Sequence, residues 1–204
     1  MKVYLRDRNT DLALEWRDVF KDEKDINISF GNIFDDGEHM NVDAIVSPAN
    51  SFGYMDGGID FVYSKFFGWK LDEKLREILW QEHNGELLVG QAVVVDIREV
   101  NPKTPIPYLI SAPTMRVPME ITHTVNAYLA FVAALRVADK HPNINSILCP
   151  GLGTAIGRMP YSVCAIQMHA AWKRYNNPKY FDVLGTAHID HHSMLNPDTY
   201  KGAQ

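Results

Sequence analysis

Short apolar segments alternating with amphipathic ones constrain the fold of this chain more than any other feature. The strand-like segments are Lys2–Arg6, Ile26–Phe30, Asp43–Ser47, Ala92–Ile97, Tyr108–Ala112, Ser146–Cys149 and Asp182–Thr186. All are short and rich in Val, Ile, Leu, Phe or Tyr. Between several of them the apolar period changes to that of a helix. Leu71, Leu75, Ile78 and Leu79 recur at i, i+4, i+7 and i+8, and Val125, Tyr128, Leu129 and Val132 at i, i+3, i+4 and i+7. A third helix is expected near Pro160, a residue suited to a first helical position, burying Val163, Ile166 and Ala170. Near-continuous apolar strands separated by amphipathic helices imply a sheet covered on both faces. The class is α/β. No internal repeat, low-complexity tract or linker interrupts the pattern, so residues 1–204 are read as one domain.

Composition narrows the function classes. Hydrophobic residues make up 46% of the 204, enough for one full core. A formal net charge of −5 argues against a broad electrostatic grip on nucleic acid and leaves room only for a local basic patch. The opening MKVYLRDRNT has no apolar core of signal-peptide length, and no run approaches membrane-spanning length. The two cysteines, Cys149 and Cys164, stand in core-like surroundings. A reduced, cytoplasmic setting without membrane contact is therefore expected.

Two stretches share one design of buried strand, glycine-bearing loop and helix. The first is VDAIVSPANSFGYMDGGIDFVYSKFFG, Val42 to Gly68, and the second is ILCPGLGTAIGRMPYSV, Ile147 to Val163. Helix N-termini carry free N–H groups and partial positive charge, so this order commonly builds a phosphate pocket. Gly151, Gly153 and Gly157 let backbone approach a ligand closely. One such loop could equally be only a tight strand–helix turn; two in one small domain favour a phosphate site. A nicotinamide-dinucleotide fingerprint would follow the first strand, with an acidic residue about 20 positions later. The glycines of the second loop come too late for that, which disfavours an oxidoreductase.

With a third piece, ISFGNIFDD (Ile28 to Asp36), these stretches resemble the macro domain family. Its members carry a Gly-Asp-Ile turn, then an Asp-Ala-Ile-Val strand followed by Asn-Ala-Ala-Asn, then glycines opening a helix, and late in the chain a Pro-containing glycine loop. This chain has Gly31-Asn32-Ile33, Asp43 to Val46, Ser47-Pro48-Ala49-Asn50, Gly57-Gly58-Ile59-Asp60 and Pro150 to Gly157. The likeness runs from about Ile26 to Tyr175. It implies a three-layer α/β/α sandwich around a central mixed, mostly parallel sheet, and a ligand that is ADP-ribose or a derivative. Asn50 would bond the distal ribose hydroxyls. Gly57, Gly58 and Ile59 would contact the diphosphate from one side, and Gly153, Thr154, Ala155 and Ile156 from the other, with Gly151 and Gly157 shaping that loop. Asn32 and Ile33 would sit at the adenine. Three positions depart from the pattern. Asn32 replaces the usual Asp, Ser47 replaces the first Asn of its pair, and Ile156-Gly157 stand where many relatives have an aromatic.

The same resemblance bears on catalysis. Members that remove ADP-ribose from acidic side chains have Val-Asp at the helix start, and Gly58-Ile59-Asp60 is similar. A carboxylate there would orient or deprotonate a water at the anomeric carbon, with Asn50 as its ribose-holding partner. In the first turn of a helix Asp60 could equally serve only the helix dipole. Lys65, Phe67 and Gly68 echo the terminal ADP-ribose glycohydrolases, but Gly157 stands where those carry an aspartate, so a Lys/Asp mechanism is not expected. Lys65 is read as a surface cation, and Arg116, in the rim segment Pro113 to Pro118, as a solvated one.

The implied activities are hydrolysis of ADP-ribose 1''-phosphate or removal of ADP-ribose from a modified protein or nucleic acid. The alternative is a non-catalytic ADP-ribose reader. No cofactor is implied. His188, Asp190 and His192 alternate along a segment read as an extended C-terminal loop, without the spacing of a structural zinc site, so no metal is expected.

Overall fold

The computed structural model describes residues 1–177 and 184–201. A six-stranded sheet lies at its centre, formed by β1 (Lys2–Asp7), β2 (Ile26–Phe30), β3 (Ala44–Ser47), β4 (Val93–Asp96), β5 (Tyr108–Ser111) and β6 (Ser146–Cys149). Their order across the sheet is β2-β1-β6-β3-β5-β4. Every neighbouring pair is parallel except β4 and β5.

The strands send alternate side chains to opposite faces. On β3, Ala44 and Val46 join a core with Trp16, Phe131 and Ile166, drawn from α1 (Thr10–Val19), α4 (Asn126–Lys140) and α5 (Tyr161–Asn176). Ile45, pointing the other way, packs with Tyr63, Phe67 and Leu75 from α2 (Gly58–Phe67) and α3 (Lys70–His83). Helices thus cover both faces, giving the three-layer α/β/α sandwich. Ser47 has the parity of Ile45 and is turned toward α2. Its register partner Ser111 on β5 has the parity of Leu109 and shares that face.

Helix boundaries have local causes. Asn9 caps α1, its Oδ1 accepting the N–H groups of Asp11 at 2.9 Å and Leu12 at 3.3 Å. Helix α2 starts after Gly57 with no side-chain cap, so the first-turn N–H groups find no partner from a capping side chain. Pro160 stands one position before α5, at the N-cap. No described helix is long and apolar enough to cross a membrane.

The C-terminal region differs from the sequence expectation. Of the expected strand Asp182–Thr186, residues 182 and 183 lie outside the described residues. Leu184 to Thr186 open α6 (Leu184–Ser193), which packs against α7 (Pro197–Lys201). Strand propensity reports fit to a pleated, half-buried surface, and this segment meets a helix instead. The His188–His192 segment is accordingly helical rather than extended. His188 and His192, one turn apart, put their ring centroids 4.5 Å from each other. No group of three or more His, Cys, Asp or Glu side chains that could hold a metal ion occurs among the described residues.

Candidate functional site

The C-terminal ends of β1, β3, β5 and β6 converge on a cavity of about 390 Å³. Crevices at this edge of a parallel sheet are the usual ligand sites of open α/β folds.

One wall is the start of α2. Gly57 is extended (φ −138°) and Gly58 is left-handed (φ +57°). A Cβ on either would meet nothing within 4 Å. The N–H groups of Gly58, Ile59 and Asp60 begin the helix beside this open space, an arrangement suited to an anion. The opposite wall is the loop after β6. Gly153 adopts φ +73°, and the N–H groups of Gly153, Thr154, Ala155, Ile156 and Gly157 make no hydrogen bond among the described residues. The loop is held from outside. Gly157 accepts the N–H of Ile121 at 2.8 Å, Gly153 that of Met159 at 3.0 Å, and Glu120 pairs with Arg158 at 2.8 Å. Two sets of backbone donors without a hydrogen-bond partner among the described residues therefore belong to residues that line the cavity.

Asp60 lines the cavity yet is only 7% exposed. Its Oδ1 accepts the hydroxyl of Ser47, fully buried at the end of β3, at 2.5 Å. Burial pushes the Asp60 carboxyl up to about 7, against the downward pull of the Ser47 bond. Nearby, the Tyr63 hydroxyl donates to the Val46 carbonyl at 3.1 Å and anchors α2 to β3. Burial raises the Tyr63 phenol well above its ordinary range, so it stays neutral.

Asn50 also lines the cavity, but its amide holds its own loop. Nδ2 donates to the Tyr54 carbonyl at 2.9 Å, and Oδ1 accepts the N–H of Phe52 at 3.1 Å. The second Nδ2 hydrogen is what remains for a ligand.

Neither Asn32 nor Ile33 lines this cavity. Ile33 is buried in the core beneath α2, because it packs with Tyr63 and Phe67. The Asn32 carbonyl accepts Arg6 Nε at 2.8 Å, and its Oδ1 accepts the Phe34 N–H at 3.3 Å. The β1 end supplies Asp7, Arg8 and Asn9 instead, together with Tyr161. Asn9 Nδ2 donates to the Tyr161 hydroxyl at 2.6 Å, linking the starts of α1 and α5. The Asn-Thr-Asp capping signal at residues 9–11 could have pointed to Asn9; nothing local marks Asp7 or Arg8 as cavity residues.

Lys65 stacks over the Phe61 ring at 4.4 Å and does not line the cavity. Arg116 pairs with Glu86 at 2.7 Å on the surface.

A family model described as Macro domain matches residues 46–168. The chain belongs to the macro domain family. Among its relatives, an uncharacterized protein of Aquifex aeolicus is 30% identical over 166 residues, covering 81% of this chain and 91% of that one. Another, from Aeropyrum pernix, is 30% identical over 145 residues, 67% of this chain and 70% of the other. The fold is shared with the macrodomain of Mycobacterium tuberculosis DarG, at a TM-score of 0.57 and 19% identity over 71% of this chain and 87% of that one. It is shared also with the Oceanobacillus iheyensis macrodomain solved with ADP, at 0.54 and 21% over 72% and 81%. The Thermosipho africanus DarTG complex with ADP-ribose gives 0.54 and 13%, covering 85% of this chain and 50% of that one. At such identities these structures speak for the macro domain fold alone. The matched segment contains both donor-lined walls, Ser47 and Asp60.

Proposed function

We propose that this macro domain binds ADP-ribose or a derivative and hydrolyses the bond between the anomeric carbon of the distal ribose and its substituent. The observation that carries the reading is a cavity flanked by two sets of unengaged N–H groups, with the buried Asp60 carboxyl in its wall. A diphosphate between the Gly57–Asp60 turn and the Gly153–Gly157 loop would receive donors from both sides. ADP-ribose in the Thermosipho structure and ADP in the Oceanobacillus one support that assignment.

In the reaction, a water adds to the anomeric carbon as the bond from that carbon to the leaving oxygen breaks. Asp60 accepts the proton of the water, and the substituent departs as phosphate or as the carboxylate of an acidic side chain. A carboxyl near 7 is matched to this task at neutral pH. Both cysteines are free and buried, which supports a reducing, cytoplasmic location.

Product analysis on ADP-ribose 1''-phosphate and a mono-ADP-ribosylated protein, side by side, tests the reaction and identifies the leaving group. Calorimetry with ADP-ribose tests the binding, expected in the micromolar range, about −8 kcal/mol. Binding without turnover on either substrate would make the domain a reader. No binding at millimolar ADP-ribose would overturn the reading altogether.

A further inference from the structure

We infer that Ser47 is a positioning residue for Asp60, its hydroxyl holding one carboxyl oxygen inward against β3 and presenting the other to the ligand. The inference rests on the reading of Asp60 as the group that acts in the cavity. Three observations carry it. Ser47 is completely buried at the last position of β3 and does not line the cavity. Asp60, on the first turn of α2, does line it. The bond between them, from Ser47 Oγ to Asp60 Oδ1, spans the joint between sheet and helix. With Oδ1 engaged, Oδ2 is the oxygen left for a water or a ribose. The Tyr63 bond to Val46, one residue earlier on β3, fixes α2 at the same place, so strand and helix have little freedom to separate.

Among the described residues, Ser47 is the one side chain that donates a hydrogen bond to Asp60. The titratable and charged groups near this wall are Tyr63 on α2, Cys149 at the end of β6, Asp7 at the end of β1, and Asp56 and Arg8 along the cavity. Tyr63 and Cys149 are held neutral by burial, and Asp7 is turned to other donors. Ser111, the register partner of Ser47, has a buried hydroxyl that makes no bond to Asp60 among the described residues. A hydroxyl donating to a buried carboxylate favours its charged form, so Ser47 keeps Asp60 able to ionise near neutrality as well as aimed.

The test is the titration of the Asp60 carboxyl carbon by NMR in wild type, Ser47→Ala and Ser47→Thr, with Asp60→Asn identifying the signal. Removing the hydroxyl should raise the midpoint by about one unit, the size of one hydrogen bond to a charged group, and Ser47→Thr should restore it. The pH–rate midpoint should rise with it, while ADP-ribose affinity changes less than about threefold. Should Ser47→Ala fail to fold, Ser47→Cys, similar in bulk with a weaker donor, is measured the same way. An unchanged Asp60 midpoint in Ser47→Ala overturns the inference. So does an equal shift in Ser111→Ala, which would mark a general response to lost polarity. A shifted midpoint in a protein that turns over neither substrate upholds the Ser47 assignment and defeats the hydrolase reading.

Discussion

The carboxylate of Asp7, at the end of β1, accepts the backbone N–H of Gly151, just past the end of β6, at 3.0 Å. Its other oxygen accepts the N–H of Asn9 at 2.9 Å. One side chain therefore fixes the departure of the donor-bearing loop and the entry to α1. Asp7→Ala should cost about 1–3 kcal/mol of stability by orphaning these donors, and should weaken ADP-ribose binding about tenfold as the loop loosens. Asp7→Asn, which keeps one acceptor oxygen, should fall between. Denaturant unfolding and calorimetry on the same preparations check both effects.

Asp60 sets a stability cost that varies with pH. Folded, it keeps its proton up to about pH 7, whereas the unfolded carboxyl loses it near 3.8. Stability from this group is fully present below pH 3.8 and is lost as pH rises through 7. Asp60→Asn should therefore stabilise the protein at pH 8 by on the order of 2–4 kcal/mol, with the gain vanishing toward pH 4. The same variant should lower turnover by roughly 10²–10⁴-fold. Melting curves at several pH values and single-turnover assays together separate this from a plain helix-dipole role, for which Asn would destabilise slightly and leave turnover intact.

Two glycines of the site should respond in opposite ways. Gly57 is extended and faces open cavity, so Gly57→Val should keep the melting temperature within a degree or two, roughly a surface-type change, and weaken ADP-ribose binding at least about tenfold. A Cβ on Gly157 would stand 2.5 Å from the Gly153 carbonyl oxygen and 2.7 Å from Ile121 Cγ1. Gly157→Ala must therefore move the loop, at a cost of about 1–3 kcal/mol. Equal loss of stability in the two variants would contradict this placement of the walls.

His169 on α5 gives the protein an acid-sensitive joint. It packs edge-on against Phe20, and its Nδ1 lies 3.1 Å from the Tyr200 hydroxyl on α7. Burial, then the Lys173 cation, push it down to about 4 from 6.5. The unfolded chain binds this proton first, so stability is present above pH 6.5 and lost as pH falls toward 4, by at most about 3 kcal/mol. His169→Gln should flatten that limb of the stability profile, read from urea midpoints.

The strands were legible because six runs of β-branched and aromatic residues stand where the sheet has strands, with ends that agree to within a residue or so. The helix after residue 125 was legible as an element but not as a face. Val125, Tyr128, Leu129 and Val132 carry the apolar period, yet Ala127, Ala130, Phe131, Ala134 and Leu135 are the more deeply buried. Small alanines let α4 sit close to α5, and hydropathy ranks them too low to reveal it. The glycine loops were legible because a fixed order of motifs marks them. The Ser47–Asp60 bond was not, since a residue at a strand end and one at a helix start declare their contact only when the chain folds. Asn32 was placed by motif position, whereas β2 is an edge strand whose following turn is drawn to Arg6.

The walls of the cavity carry the carboxyl groups of Asp7, Asp56 and Asp60, against one guanidinium, Arg8, among the described residues. A doubly charged diphosphate would therefore be gripped by amide dipoles at contact range while the wider field of the protein, net −5, repels it on approach. In a phosphate site built from lysines and arginines, added salt competes with the attraction and binding fades. Here added salt screens mainly the repulsion and leaves the short-range dipoles untouched. Association of ADP-ribose should hold or quicken between about 0.02 and 0.5 M sodium chloride, where the Debye length shrinks from about 20 to about 4 Å, making this a salt-tolerant anion site.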